Sequence, residues 1–105
     1  MSNQILVVGG GASGMMAAIV AKRNGSNVTI LERNDRLGKK LLATGNGRCN
    51  YTNENIDLKF FHGEDKDFIK LVINKFTNKD AIEFFEKMGI VPAIEDNGKV
   101  FPLSF

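Results

Sequence analysis

Gly9-Gly10-Gly11-Ala12-Ser13-Gly14 stands between a short apolar run and a long one, and few folds accommodate that order. Ile5-Leu6-Val7-Val8, just before it, is too short for a surface helix and rich in β-branched residues, so it is predicted to be a buried strand. After the glycines, an apolar-rich stretch runs to Lys22-Arg23 and is predicted to be a helix. A turn at Asn24-Gly25-Ser26-Asn27 ends it, with Gly25 as the C-terminal cap. Val28-Thr29-Ile30-Leu31 then makes a second short strand that runs into Glu32-Arg33. Strand, G-x-G-x-x-G, helix, strand and acid, with the acid about 20 residues beyond the last glycine, is the order of a dinucleotide-binding βαβ unit. The glycine motif alone is common. Its context makes it informative about binding, though not about reaction.

The glycines have separable roles. Gly9 permits the tight strand-to-helix turn, Gly11 lets the chain approach a pyrophosphate closely, and Gly14 lets the helix pack against the strands. Backbone N–H groups at the helix start, around Ala12 and Ser13, face the phosphates, and Ser13 offers a hydroxyl besides. Glu32 is placed to accept hydrogen bonds from both hydroxyls of an adenosine ribose. Its charge disfavours a 2′-phosphate, which points to FAD or NAD rather than NADP at this position. Met15 and Met16 read as core packing, and the helix is so apolar that more protein is expected around most of its circumference.

Composition narrows the partners. Fourteen basic and 12 acidic side chains leave a formal charge of +2, with no basic block, so nucleic acid is a poor candidate. The single cysteine, Cys49, excludes an internal disulfide, and a reducing, cytoplasmic setting is expected. Ile5 to Ala21 carries no charge, yet it contains glycines, lacks a basic leader and falls short of a span of about 20 residues. No membrane span is predicted. Only two strands clearly belong to a parallel sheet, so the chain is expected to be an N-terminal piece of a larger protein. The remainder of the polypeptide, or self-association, would complete the sheet.

A second glycine-bearing stretch follows. Gly38 breaks the chain, Lys39 to Ala43 is predicted to form a turn or two of helix, and Thr44-Gly45-Asn46-Gly47 leads directly into Arg48. Two loops carrying Lys39, Lys40 and Arg48, close to a pyrophosphate-binding turn, suggest one extended anionic ligand gripped twice.

At this point the chain resembles a known family. Gly9 to Gly14, Leu31-Glu32-Arg33-Asn34, Leu37-Gly38-Lys39-Lys40-Leu41, Gly45-Asn46-Gly47-Arg48-Cys49-Asn50-Tyr51-Thr52-Asn53 and Gly98-Lys99-Val100-Phe101-Pro102-Leu103-Ser104 are similar to segments of the BaiN-like, or HI0933-like, NAD(P)/FAD-dependent oxidoreductases. That family is also described as aminoacetone oxidase-like. Ala12-Ser13 stands where a proline-alanine pair is common, and Asn46 interrupts what is often a run of three glycines. The resemblance implies FAD, with NAD(P)H as a possible co-substrate. It places the pyrophosphate on Gly9, Gly11, Ala12, Ser13 and Gly14, and the adenosine ribose at Glu32 beside Arg33. It lays the loop containing Gly45, Gly47, Arg48 and Asn50 along the cofactor, with Lys40 as a further contact.

Beyond Asn53 the chain turns polar and loop-like as far as Lys59. Glu64 to Phe76 has helical periodicity, and a second helix is predicted with Asn78 as its cap, Asp80 in its first turn, a Glu83–Lys87 pair and a stop at Gly89. Ile90–Ala93 and Lys99–Leu103 flank Asn97-Gly98, a type I′ turn pair, so a β-hairpin is predicted, with Pro92 and Pro102 at edges or strand ends. His62 has no dyad partner in the sequence. Cys49 has no second cysteine for a dithiol mechanism, and no catalytic residue can be named. The predicted fold class is therefore α/β: the N-terminal βαβ part of a Rossmann-like FAD-binding domain, followed by two helices and a β-hairpin, and incomplete as a domain. Residues 1–53 form the dinucleotide-binding core, and residues 54–105 a helical segment and hairpin leading to a second layer or domain. The predicted function is an FAD-binding oxidoreductase acting on a small molecule. The alternatives are an NAD-dependent dehydrogenase domain and a fragment without independent activity.

Overall fold

The computed structural model describes residues 3–103. Ser104, which closes the phenylalanine-proline segment, lies outside them. The chain forms two compact units, Met1–Gly47 and Arg48–Phe105.

In the first unit, strand β1 (Gln4–Val8) leads through the glycine loop into helix α1 (Ala12–Arg23), and strand β2 (Asn27–Leu31) returns parallel to β1. The register runs from Gln4 opposite Asn27 to Val8 opposite Leu31. Parallel neighbours need a crossover between them, and α1 supplies it. Side chains alternate along both strands. Ile5, Val7, Val28 and Ile30 are half-buried, whereas Leu6, Val8 and Leu31 on the opposite face are 59%, 81% and 51% exposed. The strands predicted as buried are thus covered on one face only by the described residues. Ala18 is the buried residue of α1, and Ile19 and Val20 are largely exposed.

The end of α1 is closed by main-chain bonds from two residues beyond it. Gly25, at φ +93°, donates to the Lys22 carbonyl at 3.0 Å, and Ser26 donates to that of Ala21 at 3.1 Å. This is the Schellman arrangement, and it makes Gly25 the cap expected of it. Lys22 and Arg23 lie in the last turn, where positive charge favours the helix dipole.

The second unit contains β3 (Thr52–Asn53), a short 3₁₀ turn at Leu58–Phe60, α2 (Lys66–Lys75), α3 (Asn78–Glu86), β4 (Pro92–Ile94) and β5 (Lys99–Pro102). The three strands form an antiparallel sheet in the order β3-β5-β4. Its central strand supplies Val100 and Phe101, the most buried hydrophobic side chains described. Pro92 opens β4 and Pro102 closes β5, positions where a missing N–H does least harm to the ladder.

The predicted hairpin forms, but its turn differs. Gly98 donates to the Glu95 carbonyl at 2.8 Å and Glu95 donates to that of Lys99 at 2.9 Å, with Gly98 at φ +84°. Asn97 is not at positive φ, as a type I′ turn would require. The connection is a type I turn followed by a left-handed glycine, the G1-bulge form. Asn97 Oδ1 accepts from the Lys99 N–H at 3.1 Å and steadies it.

Both predicted helices are present. Asp65 caps α2 by accepting the Phe68 N–H at 3.0 Å. The cap of α3 is Thr77, one residue earlier than expected. Its hydroxyl accepts the Asp80 N–H at 3.1 Å, while Asp80 Oδ2 accepts the Thr77 N–H at 2.9 Å. This reciprocal pair satisfies two otherwise orphaned donors, which an Asn78 cap without an acid at the matching position would not do. Asn78 instead ties α3 to the β3 region, its Nδ2 donating to the Asn53 and Glu54 carbonyls at 3.0 Å each. Glu83 and Lys87 pair at 3.1 Å as predicted, and Gly89 turns the chain at φ +89°. Tyr51 meets Phe85 edge to face with ring centroids 5.0 Å apart. Among the described residues no helix is long and apolar enough to cross a membrane.

Candidate functional site

The glycine loop is held from below by β2 and from the side by the segment that follows it. Gly9 adopts φ +99° and donates to the Leu31 carbonyl at 2.7 Å, so the turn begins where the two strands end. Gly14 lies where a β-carbon would collide with the Gly9 carbonyl oxygen and stand 3.4 Å from Val7 Cγ1 on β1. Its lack of a side chain permits the expected close packing of the helix on the strand, and on the turn as well. Gly11 is the helix N-cap, and a β-carbon there would meet nothing within 4 Å.

The start of α1 is open. Met15 donates to the Gly11 carbonyl at 2.9 Å, and no side chain caps the helix. The N–H groups of Ala12, Ser13 and Gly14 precede the first intrahelical donor and have no partner within the helix. Gly11, Ala12 and Ser13 are exposed, and the first turn carries no acidic residue to compete for them. Free donors, the positive end of the helix dipole and open space over Gly11 together suit an anionic diphosphate.

Glu32 lies immediately after β2 with its carboxylate turned onto the loop. Oε1 accepts the Gly10 N–H at 2.7 Å, and Oε2 accepts the Asn34 N–H at 2.8 Å. The Asn34 and Gly10 N–H groups favour the ionised form and hold the carboxyl below its ordinary value. Partial desolvation opposes them, and Arg33 adds a smaller attraction. Each oxygen retains a lone-pair direction for a further donor. A carboxylate fixed at both oxygens therefore stands beside a helix start with unbonded N–H groups.

Gly10 was not singled out by the sequence, because it occupies an unspecified position of the motif. The signal available was the extra glycine itself. Its carbonyl accepts the Gly38 N–H at 2.8 Å, and the Leu37 side chain fills the space where its β-carbon would be.

The second glycine stretch is a kinked 3₁₀ turn over Leu41–Gly47, entered through a turn at residues 37–40. Gly45, Asn46 and Gly47 have φ of +58°, +55° and +85°, and the Thr44 hydroxyl donates to the Leu41 carbonyl at 2.7 Å. Asparagine tolerates this left-handed geometry better than most residues, so Asn46 departs from a glycine run at little strain. Arg33 and Lys40 are exposed, and Lys39 lies 4.0 Å from Asp35.

Arg48 and Asn50 belong to the second unit and have structural contacts there. The Arg48 guanidinium donates to Glu95 Oε1 at 2.7 Å and lies 4.1 Å from the centre of the Phe101 ring. Asn50, with its amide nitrogen turned inward, donates to the Thr52 and Val100 carbonyls at 2.9 and 3.2 Å. Between them Cys49 is half-buried at φ +63°. The Tyr51 hydroxyl is buried without a partner among the described residues. Burial, then the charges of Glu86 and Cys49, pushes its pKa up.

The family described as HI0933-like protein Rossmann domain matches residues 3–105 of the chain. A 3-dehydro-bile acid delta(4,6)-reductase of Clostridium scindens is 45% identical over 104 residues, covering 97% of this chain and 25% of that protein. A ribosomal RNA dihydrouridine synthase of Escherichia coli is 30% identical over 96 residues, 91% of this chain and 24% of its own. A cinnamate reductase of Clostridium sporogenes is 33% identical over 84 residues, 78% of this chain and 12% of its own. The chain spans about a quarter of the length of the first two.

Proposed function

The chain belongs to the HI0933-like Rossmann-domain family, and from that premise we propose that it forms the N-terminal part of the FAD-binding domain of an oxidoreductase. The observation that carries this reading is the Glu32 carboxylate, fixed by two backbone donors beside an uncapped helix start. In the proposed complex the Ala12, Ser13 and Gly14 N–H groups hold the diphosphate, with Gly9 and Gly11 shaping the turn. Glu32 takes the hydroxyls of the adenosine ribose and repels a 2′-phosphate. Arg33, Lys40, Gly45, Gly47, Arg48 and Asn50 are proposed as further contacts on the family resemblance.

Bound FAD would supply a two-electron carrier between reduced nicotinamide and an organic substrate. Two of the relatives above are named as reductases, one of a 3-dehydro-bile acid and one of cinnamate. The proposed reaction is accordingly reduction of a carbon–carbon double bond conjugated to a carbonyl, consuming NAD(P)H and a proton and releasing NAD(P)⁺. Cover for the face carrying Leu6, Val8 and Leu31 would come from more of the same polypeptide or from self-association. A reducing, cytoplasmic location suits a chain with one thiol.

Anaerobic titration of the purified full-length protein tests the reaction. NADH or NADPH should bleach the flavin, and an α,β-unsaturated ketone or acid should restore its colour. Failure of both nicotinamides to bleach it rules out the proposed donor, and failure of every such acceptor rules out the substrate class.

A further inference from the structure

Gly10 is not among the three glycines the motif requires, yet three segments of the first unit meet at it. Its N–H donates to Glu32 Oε1 and its carbonyl accepts from Gly38, so both backbone groups are bonded to the segment after β2. The Leu37 side chain presses where a Gly10 β-carbon would stand, and Glu32 Oε1 and Cβ are 3.3 and 3.5 Å from that point. Gly38 is buried at φ +66°, and its own β-carbon would come within 3.1 Å of Met15 Cε. Leu37-Gly38 is therefore wedged between the glycine loop and the first turns of α1. On the far side, the Asn34 N–H holds Glu32 Oε2.

The geometry points to Leu37 as a positioning residue: by packing on Gly10 it keeps the Gly10 N–H aimed at Glu32, so that the carboxylate is fixed for an adenosine ribose before the nucleotide arrives. This rests on the reading of Glu32 as the ribose acceptor. A loose glutamate would surrender its rotamer freedom on binding, whereas one already tethered at both oxygens loses little. The charged surroundings leave this tether as a main influence on the carboxylate. Arg33 is its charged neighbour, Asp35 faces Lys39, Arg36 is exposed, and neither the glycine loop nor the first turn of α1 carries an ionisable side chain.

ADP, the portion common to FAD and NAD, is the probe. Calorimetric titration of the flavin-stripped full-length protein, over a pH series from neutral downward, should show Leu37→Ala weakening ADP about five- to tenfold. Its acid limb should also move up towards the ordinary carboxylate value of 4.5, because the ionised form has lost a donor. Leu37→Met, which refills the space, should restore both. Gly10→Ala, which displaces Leu37 from the other side, should reproduce the shift. Leu37 is 46% exposed, so its truncation leaves the core in place. An acid limb that stays put in Leu37→Ala, whether or not stability falls, overturns the positioning role. A wild-type protein that fails to bind ADP overturns the dinucleotide reading itself.

Discussion

Alanine at Gly14 and alanine at Gly11 should produce opposite phenotypes, although the two glycines lie three residues apart in one motif. Gly14 is the third residue of α1, where alanine would gain at most about 1 kcal/mol of helix propensity. Against this, its β-carbon collides with the Gly9 carbonyl oxygen and stands 3.1 Å from the Gly9 carbonyl carbon and 3.4 Å from Val7 Cγ1. The oxygen cannot retreat freely, because the Gly9 N–H is bonded to Leu31 at 2.7 Å. Opening the contact is an overpacking strain of about 1–3 kcal/mol. Weakening the Gly9–Leu31 bond adds about 1 kcal/mol more. The steric effect wins, for a net destabilisation of about 1–3 kcal/mol. Gly11, at φ −81° and ψ −170°, is in an extended conformation that alanine adopts readily, with nothing within 4 Å of a β-carbon. Gly11 is the helix N-cap, where alanine is less favourable than glycine, so stability should fall by no more than about 0.5–1 kcal/mol. The methyl group would nevertheless occupy the space proposed for the pyrophosphate, so FAD affinity should fall by about tenfold or more, or ~1.4 kcal/mol. Urea denaturation and flavin fluorescence titration of both variants, side by side, read the two effects separately. A Gly14→Ala protein as stable as its parent, or a Gly11→Ala protein that binds FAD as tightly, would refute the reasoning.

The remaining predictions concern the second unit and acid pH. Thr77→Ala removes the capping box of α3 and should cost about 1 kcal/mol, seen as faster amide exchange across Asn78–Glu86; unchanged exchange would show that the box contributes nothing. Gly98→Ala forces a β-carbon onto the Asn53 and Asn55 side chains at φ +84° and should destabilise by about 1–3 kcal/mol, with a lowered unfolding temperature as the readout. Because the Glu32 pKa is lowered in the folded state, its stabilising contribution is present above the ordinary value of 4.5 and is lost as pH falls through the lowered one. Glu32→Gln should therefore flatten that part of the acid-unfolding curve, and an unaltered curve would contradict the tether to Gly10 and Asn34.

Local signals made much of this structure readable in advance. The βαβ unit follows from two β-branched runs around a glycine motif, and Gly25 from the need for a left-handed residue after Arg23. The two later helices and the hairpin were legible in periodicity and in the Asn97-Gly98 pair. What escaped depends on contacts distant in sequence. The two-residue strand β3 exists because Thr52 and Asn53 pair with Val100 and Lys99, and no periodic pattern can announce so short an element. Thr77 displaced Asn78 as the cap because Asp80 completes a box only with Thr77. The turn type changed because Gly98 alone takes the positive φ. Within the candidate site, Gly9, Gly14 and Glu32 were identifiable from spacing. The locking of Glu32 through Gly10, Leu37 and Gly38 is tertiary, and the extra glycine at position 10 is its one trace in the motif. Arg48 and Asn50 are candidates by charge and resemblance, and their spacing gives no sign of their contacts with Glu95, Phe101 and the β3–β5 region.

The identity of the bound cofactor bears most directly on the proposed function. Purified full-length protein, denatured and freed of its precipitate, should release FAD in equimolar amount to the chain, identified by chromatography and by its flavin spectrum. Colourless protein that binds NAD and takes up no FAD on reconstitution would contradict the assignment.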